Sequence, residues 1–169
     1  MKKKLISLLS VVCLVALFFS LTGVSHAQSG ELTSTQSFLS FLDSKGIEYT
    51  SYGLGEKYEE LGVSYDPDNF ESLDCFFYFR DDCEEVSLRV WNIVVASAGK
   101  SYILSTLNTL NDDYKFAKFV FDESDNTVQA ELDMYIDAEH CGRSVYDAMM
   151  ALFEIVDNDE VAEMLHALE

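Results

Sequence analysis

Three short stretches place chemically useful residue types at spacings that known sites use. The first, Gly99-Lys100-Ser101, stands between a predicted strand and a predicted helix, where a phosphate-binding loop would end. That loop also requires a glycine five residues before Gly99, and this position is Val94. Without that glycine the backbone cannot wrap a chain of phosphates. We therefore interpret Gly99-Lys100-Ser101 as an ordinary helix start.

The second stretch copies the ligand spacing of a calcium loop. Asp122, Ser124 and Asn126 alternate as oxygen donors, and Asp133 stands at the twelfth place of the pattern. However, Thr127 occupies the place that calls for glycine, and predicted strands flank the segment. The pattern therefore favours a solvated hairpin loop.

The third stretch pairs His140 with Cys141, a base beside a nucleophile. Neighbours in sequence seldom face each other productively, and no third orienting group is indicated. Nothing in the sequence marks any two of the 30 acidic residues as a catalytic carboxylate pair. No two cysteines have the close spacing of a zinc knuckle. We expect no enzyme activity, no metal and no cofactor. A hydrolase would require His140 to converge with an acid or a thiol in one pocket.

The first 27 residues have the features of a secretory leader. A basic start at residues 2–4 precedes an apolar run at residues 5–24, and small residues occupy the positions that a signal peptidase inspects before Gln28. We predict cleavage after Ala27 and a secreted or extracytoplasmic protein. An uncleaved membrane anchor is the alternative, because the run is nearly long enough to span a bilayer.

Removing the leader makes the remaining chain more acidic. Residues 28–32 form a short linker, and residues 33–169 form one domain. The formal charge of the whole chain is −19; since the leader holds three of the 11 basic residues and none of the 30 acidic ones, the remaining 142 residues carry −22. Such a body repels phosphate backbones and anionic lipid, which excludes nucleic acid and membrane surfaces as partners. Cationic partners, divalent ions or simple solubility remain.

Three cysteines follow the leader, at Cys75, Cys83 and Cys141. Export permits a disulfide, but three cysteines allow three different single bridges and leave at least one thiol unpaired within the chain. The sequence does not choose among these bridges.

Alternation of apolar and polar residues is the clearest secondary-structure signal. It predicts a strand at residues 127–137, which forms a hairpin with a strand at residues 115–122. A second hairpin combines residues 73–80 with residues 85–95. Its aromatic residues, including Trp91, are most simply interpreted as core, although an exposed part would suit peptide docking.

Helical spacing predicts a first helix at residues 34–45. Thr33 and Gln36 resemble a capping box at its start. Gly46 followed by Ile47 suits a helix end in which the glycine takes a left-handed conformation.

Three further helices are predicted at residues 98–111, 145–156 and 161–168, and one weak strand lies near Tyr49. Pro67 marks a turn. Because the strands are grouped and adjacent in sequence, the expected fold is α+β: an antiparallel sheet of two hairpins plus a weak strand, packed against helices.

The passage from the second predicted helix into the following strand resembles the YbjN-like family, which is related in fold to the chaperones of type III secretion. The family pattern is a helix ending in Asn-rich polar residues, then a basic-aromatic strand and an acidic turn. The matching positions are Asn108, Lys115, Phe116, Lys118 and Phe119. The order of elements also fits across residues 33–168.

This resemblance implies an α+β sandwich that binds other polypeptides, often as a homodimer, without catalytic residues. Family members are usually cytoplasmic and described as regulators of sensory transduction, whereas this chain has a leader. The lead hypothesis is an exported, non-enzymatic interaction domain for a protein or peptide. The alternative is an extracytoplasmic protein that binds a small ligand or a divalent cation. The candidate interaction surface consists of Phe76, Tyr78, Lys115, Phe116, Lys118 and Phe119.

Overall fold

The structure, a computed structural model, describes residues 32–54, 58–80 and 84–169. The predicted leader, most of the linker and Cys83 lie outside these ranges. The described elements, in chain order, are α1 (Thr33–Lys45), β1 (Thr50–Gly53), β2 (Tyr58–Tyr65), β3 (Leu73–Arg80), β4 (Glu85–Val95), α2 (Lys100–Asp113), β5 (Lys118–Asp122), β6 (Thr127–Tyr135), α3 (Gly142–Val156) and α4 (Asp159–His166).

The six strands of the described residues form one antiparallel sheet in the order β1-β2-β3-β4-β6-β5. The predicted α+β class and both predicted hairpins are confirmed. The strand β2 was not predicted; it pairs with β3 over eight residue pairs. Its residues mix glycine, glutamate and tyrosine without strict alternation, so this strand depends on its neighbour for stability.

All the helices of the described residues pack on one face of the sheet. Alternate residues of β3, among them Cys75, Phe77 and Phe79, are fully buried on this face. The ring of Phe38 on α1 lies 4.7 Å from the ring of Phe77 and 5.8 Å from that of Phe79. This layer forms the hydrophobic core. Among the described residues, no helix is both apolar and long enough to cross a bilayer.

The start of α1 differs from the predicted capping box. The N-cap is Leu32, and no side chain caps the helix locally. Instead, both carboxylate oxygens of the buried Glu59 on β2 lie 3.1 Å from the Leu32 backbone N–H, which donates to them. The predicted helix end is confirmed, since Gly46 has a φ of 67° and the Ile47 N–H donates to the Leu42 carbonyl.

One helix face and one strand boundary differ from prediction near the centre of the chain. The buried face of α2 consists of Ile103, Thr106, Leu107 and Leu110, whereas Leu104, which was predicted to face inward, is 43% exposed. The strand β5 begins three residues later than predicted, because Lys115 and Phe116 form a bend before it.

A bulge interrupts β4 near its end. The pairing of β4 with β6 shifts register between Val90 and Val94, and Asn92 within this interval has a φ of 54°. The pairing of β3 with β4 stops at Cys75 and Val90. Beyond this point β4 continues without β3, which leaves a groove beside the segment that precedes β3.

The last two helices follow the predicted pattern. The predicted break between them is confirmed, and the Asn158 side chain accepts hydrogen bonds from the backbone N–H groups of Glu160 and Val161 at the start of α4. At the start of α3, Gly142 allows close contact with α1, because a Cβ there would lie 2.5 Å from the Ser37 carbonyl oxygen.

Candidate functional site: the open face of the sheet

The face of the sheet opposite the helices carries a group of partly exposed aromatic side chains, which we call the aromatic cluster: Tyr52, Phe76, Tyr78 and Trp91. The rings of Tyr52 and Phe76 lie 5.7 Å apart, and Tyr52 covers the position of Gly62, which has no side chain. Tyr52 is 58% exposed. Strand alternation produces this cluster, because every second residue of β3 and β4 points away from the helices.

The polar atoms of Tyr78 and Trp91 are bonded within the protein. The indole N–H of Trp91 donates to the Tyr78 hydroxyl at 3.2 Å, and that hydroxyl donates to a carboxylate oxygen of Glu60 at 3.4 Å. Burial raises the pKa of the Tyr78 phenol, and the negative charge of Glu60 acts in the same direction. These bonds hold the two rings in place while part of their surface remains open to solvent.

A second group on the same face, the charged cluster, consists of Arg89, Lys118, Glu131 and Asp133. The Arg89 guanidinium lies 2.8 Å from the Asp133 carboxylate and 3.7 Å from that of Glu131. Burial alone would raise the pKa of Asp133, but hydrogen bonds from Ser87 and Arg89 and the charges of Arg89 and Lys118 lower it. The aromatic cluster of the open face therefore lies on β1, β3 and β4, and the charged cluster lies on β4, β6 and β5.

The structure brings part of the predicted interaction surface together. Phe76, Tyr78 and Lys118 lie on the open face. Lys115 and Phe116 precede β5, where the Phe116 side chain is 82% exposed.

Phe119 is the exception, because it is only 2% exposed and packs in the core. Its inclusion in the surface was wrong: alternation along β5 turns it toward the helices when Lys118 faces the other way. The docking role of the other predicted residues remains a prediction.

Tyr52, Arg89 and Trp91 also lie on the open face, although the predicted interaction surface did not include them. The alternation of residues 85–95 places Arg89 and Trp91 on one face with Ser87, so the signal was present for both. Trp91 is half-buried on the open face and does not belong to the core that the helices cover. Tyr52 had no comparable signal, because β1 has only four residues and an irregular register with β2.

The two edges of the sheet differ. At the β5 edge, the Asn111 side chain donates to the Phe119 carbonyl at 3.0 Å and accepts from the Phe119 N–H at 2.6 Å. The amide thereby takes the place of a neighbouring strand. At the opposite edge, Thr50, Ser51 and Tyr52 of β1 are exposed, and within the described ranges no further strand pairs with them. The free edge therefore lies next to the aromatic cluster.

Two of the motifs that resembled binding sites have structural roles. Gly99 is the N-cap of α2, and the Lys100 ammonium lies 2.7 Å from the Glu123 carboxylate. In the hairpin loop, Asp122 accepts a hydrogen bond from the Ser124 backbone N–H. Hydrogen bonds from the side chain and the backbone of Ser124 lower the pKa of Asp122. Asp125 accepts hydrogen bonds from the backbone N–H and the hydroxyl of Thr127. No group of described residues is arranged to hold a metal ion.

His140 and Cys141 do not form a nucleophile and its base. The buried Cys141 thiol lies 3.3 Å from the Ser34 carbonyl, and burial raises its pKa, which is the opposite of activation. The exposed His140 imidazole lies 3.3 Å from Asp137. Cys75 and Cys141 are both free and buried, so they form no bridge with each other. Cys83 is outside the described residues.

A groove lies beside the β4 bulge. It encloses about 550 Å³ between residues 68–72, the bulge residues Asn92 and Ile93, and the end of α4 with His166 and Glu169. Its carboxylates come from Asp68, Glu71 and Glu169.

Comparison with known proteins gives matches only among solved structures. No protein-family model and no curated protein matches the chain. A chain of the ExsC-ExsE complex superposes with a TM-score of 0.54 at 19% identity, covering 82% of this chain and 96% of that one. YbjN from E. coli, for which a role as a transcription regulator has been suggested, superposes with a TM-score of 0.53 at 12% identity, covering 76% and 93%. The chain has a YbjN-like fold. At these identities the YbjN-like comparison establishes architecture alone.

Proposed function

We propose that this YbjN-like domain is an exported, non-enzymatic interaction domain that holds an extended segment of another protein against the open face of its sheet. One observation carries the proposal: a cluster of partly exposed aromatic side chains lies on a sheet face that no described helix covers. Contiguous exposed apolar surface of this kind marks interaction sites in soluble proteins.

The aromatic cluster has the composition that binding surfaces favour. Tyrosine and tryptophan supply large contact area at little cost in conformational entropy, and they dominate the residues whose truncation weakens interfaces. The hydrogen bonds from Trp91 to Tyr78 and from Tyr78 to Glu60 orient two of the rings before a partner arrives. This preorganisation lowers the entropic cost of binding.

The free β1 edge supports an extended partner. Its exposed residues, Thr50 to Tyr52, include no proline and no charged side chain, the usual obstacles to strand addition. A segment that adds to this edge would form main-chain hydrogen bonds and place alternate side chains over Tyr52 and Phe76. Because the chain carries a formal charge of −19, the partner we propose is neutral or basic at its contact segment.

The comparisons support a protein partner. One similar chain comes from a structure of a complex between two proteins, ExsC and ExsE.

Site-specific photo-crosslinking tests the proposal. A photoreactive phenylalanine analogue replaces Phe76 on the open face and, as a matched control, Leu104 on the exposed side of α2. Incubated with the extracellular and envelope proteins of the source organism, the Phe76 variant should form a discrete adduct that the Leu104 variant does not form. Equal adducts at both positions would contradict an open-face site.

The single tryptophan of the chain, Trp91, gives an independent readout on the same face. A peptide from the crosslinked protein should change Trp91 emission on binding, and Phe76→Ser should weaken its affinity about tenfold or more, as expected when an interface aromatic is truncated. Binding that leaves both the emission and the Phe76→Ser affinity unchanged would place the partner elsewhere.

Export and oligomeric state belong to the same proposal and have a separate test. Native mass spectrometry of the protein secreted from a bacterial host, without reducing agent, reports leader removal after Ala27, the state of Cys83 and any homodimer. A mass that retains residues 1–27 would favour the membrane-anchor alternative.

A small-ligand or cation-binding function is the second candidate, and the groove favours an organic ligand with a positive charge, since no group of described residues is arranged to hold a metal ion. Asp68, Glu71 and Glu169 give this groove three carboxylates beside the apolar Phe70 and Ile93. A ligand that raises the melting temperature in a screen of amines and divalent ions, and loses the effect in Glu71→Gln, would support this function.

A further inference from the structure

The segment that connects β2 to β3 (residues 66–72) is fastened to the corner between α3 and α4. The Asp157 carboxylate accepts hydrogen bonds from the backbone N–H groups of Asp68 at 3.0 Å and Asn69 at 2.8 Å. The Asn69 side-chain amide donates to the Asp157 carbonyl at 2.7 Å and to Asp159 at 3.2 Å. These four bonds hold the segment on the side that faces the corner between α3 and α4.

A second fastening comes from His166 at the end of α4. Its Nε2 lies 3.0 Å from the Asn69 carbonyl oxygen, and its Nδ1 lies 3.1 Å from a carboxylate oxygen of Glu169. The Phe70 ring lies 5.0 Å from the imidazole. Both partner atoms are acceptors, whereas a neutral imidazole carries one N–H. Only the protonated ring donates to both at once.

The charges around His166 favour its protonation. The connecting segment contributes Asp68 and Glu71, and the chain beyond α4 contributes Glu169. The corner between α3 and α4 contributes Asp157 and Asp159, while β4 contributes only the uncharged Asn92 and Ile93. These five charged groups are all acidic.

We propose that His166 is a pH-dependent fastener: its protonated ring ties the connection between β2 and β3 to the end of α4, and its deprotonation removes one of these two ties and loosens that connection. The neutral ring keeps one of its two hydrogen bonds. The carboxylates of Asp68, Glu71 and Glu169 then face the groove without the positive charge between them. This device is independent of partner binding at the open face.

The direction of the pH dependence follows from the histidine environment. The hydrogen bond to Asn69 raises the pKa of His166 most, burial opposes this, and Glu169 adds to the increase. A raised pKa means that the stabilising contribution is complete below about pH 6.5, the ordinary histidine value, and is lost as the pH rises through the higher value of the folded protein.

Hydrogen exchange measured by NMR tests the fastener. The informative amides are those of Asp68 and Asn69, which donate to Asp157. Between about pH 5.5 and about pH 8, their protection factors, corrected for intrinsic exchange, should fall several-fold in the unmodified protein. His166→Gln should remove this dependence. His140→Gln, which removes the exposed histidine beside Asp137, should leave it unchanged.

Two further measurements separate a local release from general unfolding. Amides of the central strand residues Phe77 and Phe79 should keep their protection over the same pH range. Glu169→Gln retains a hydrogen-bond acceptor but removes the negative charge, so the midpoint of the pH dependence should move to lower pH. A pH-independent Asn69 amide in the unmodified protein, equal losses in the central strand, or an unchanged midpoint in Glu169→Gln would overturn the proposal.

Discussion

Single residues make contacts here that local sequence patterns do not suggest. Glu59 is a carboxylate on β2 that is fully buried and accepts the Leu32 N–H at the start of α1. A negative group at this position also interacts favourably with the positive end of the helix dipole. The Glu59 side chain thus takes the place of the capping box predicted from Thr33 and Gln36.

We predict that Glu59→Ala destabilises the fold. Loss of hydrogen bonds to a buried charged group costs about 1.5 to 3 kcal/mol, because the freed N–H is left without a partner. Urea unfolding followed by circular dichroism measures the change. The exposed Glu163→Ala on α4 is the control, and equal stability of the two variants would contradict the role of Glu59.

At the scale of elements, the contact between α1 and α3 depends on Gly142, which has no side chain. A Cβ at position 142 would lie 2.5 Å from the Ser37 carbonyl and 2.8 Å from the Phe41 Cβ. Backbone atoms of a packed helix cannot move aside cheaply. The two helices therefore approach closely only while this residue is glycine.

Gly142→Ala should destabilise the protein by about 1 to 3 kcal/mol, the usual cost of overpacking a well-packed contact. Thermal unfolding and urea unfolding both measure this loss of stability. Gly53→Ala is the matched control, because a Cβ at that position meets no atom within 4 Å. A Gly142→Ala protein as stable as Gly53→Ala would mean that the helices separate at no cost.

The β5 edge is also an element-scale feature, since a residue of α2 closes it. Asn111→Ala should lower stability by about 1 to 2 kcal/mol through loss of two hydrogen bonds. It should also increase self-association, because the edge strand becomes available for pairing. Analytical ultracentrifugation measures the second effect. The exposed Asn108→Ala on the same helix should behave like the unmodified protein.

At the scale of the whole molecule, negative charge is in large excess. With 30 acidic and 11 basic residues, the folded chain repels itself, and dissolved salt screens this repulsion. We predict that the free energy of unfolding increases as sodium chloride is raised from about 10 mM to about 150 mM.

Calcium chloride at equal ionic strength provides the control for this prediction. Equal gains from both salts indicate screening alone, whereas a larger gain from calcium indicates a specific site and favours the ligand-binding candidate. A decrease in stability with sodium chloride would show that attractive ion pairs, such as that of Arg89 with Asp133, outweigh the net repulsion.

Local sequence patterns determined most of the elements of this protein. Alternation located β3, β4 and β6, and helical spacing located α1, α3 and the break before α4. The left-handed Gly46 and the capping Asn158 likewise follow from the chemistry of single residues. These features depend on interactions within a few positions of the chain, which a sequence displays directly.

Only the tertiary structure decided which surfaces are open and which residues share them. The helices cover one face of the sheet, so Phe119 is buried and Trp91 stays partly exposed, although both are aromatic residues in strands. Glu59 reaches Leu32 and Asn111 replaces a strand because distant elements pack together. The sheet order places β6 beside β4, which joins Arg89 to Asp133. Such long-range pairings arise from packing of the whole chain and leave no periodic signal in the sequence.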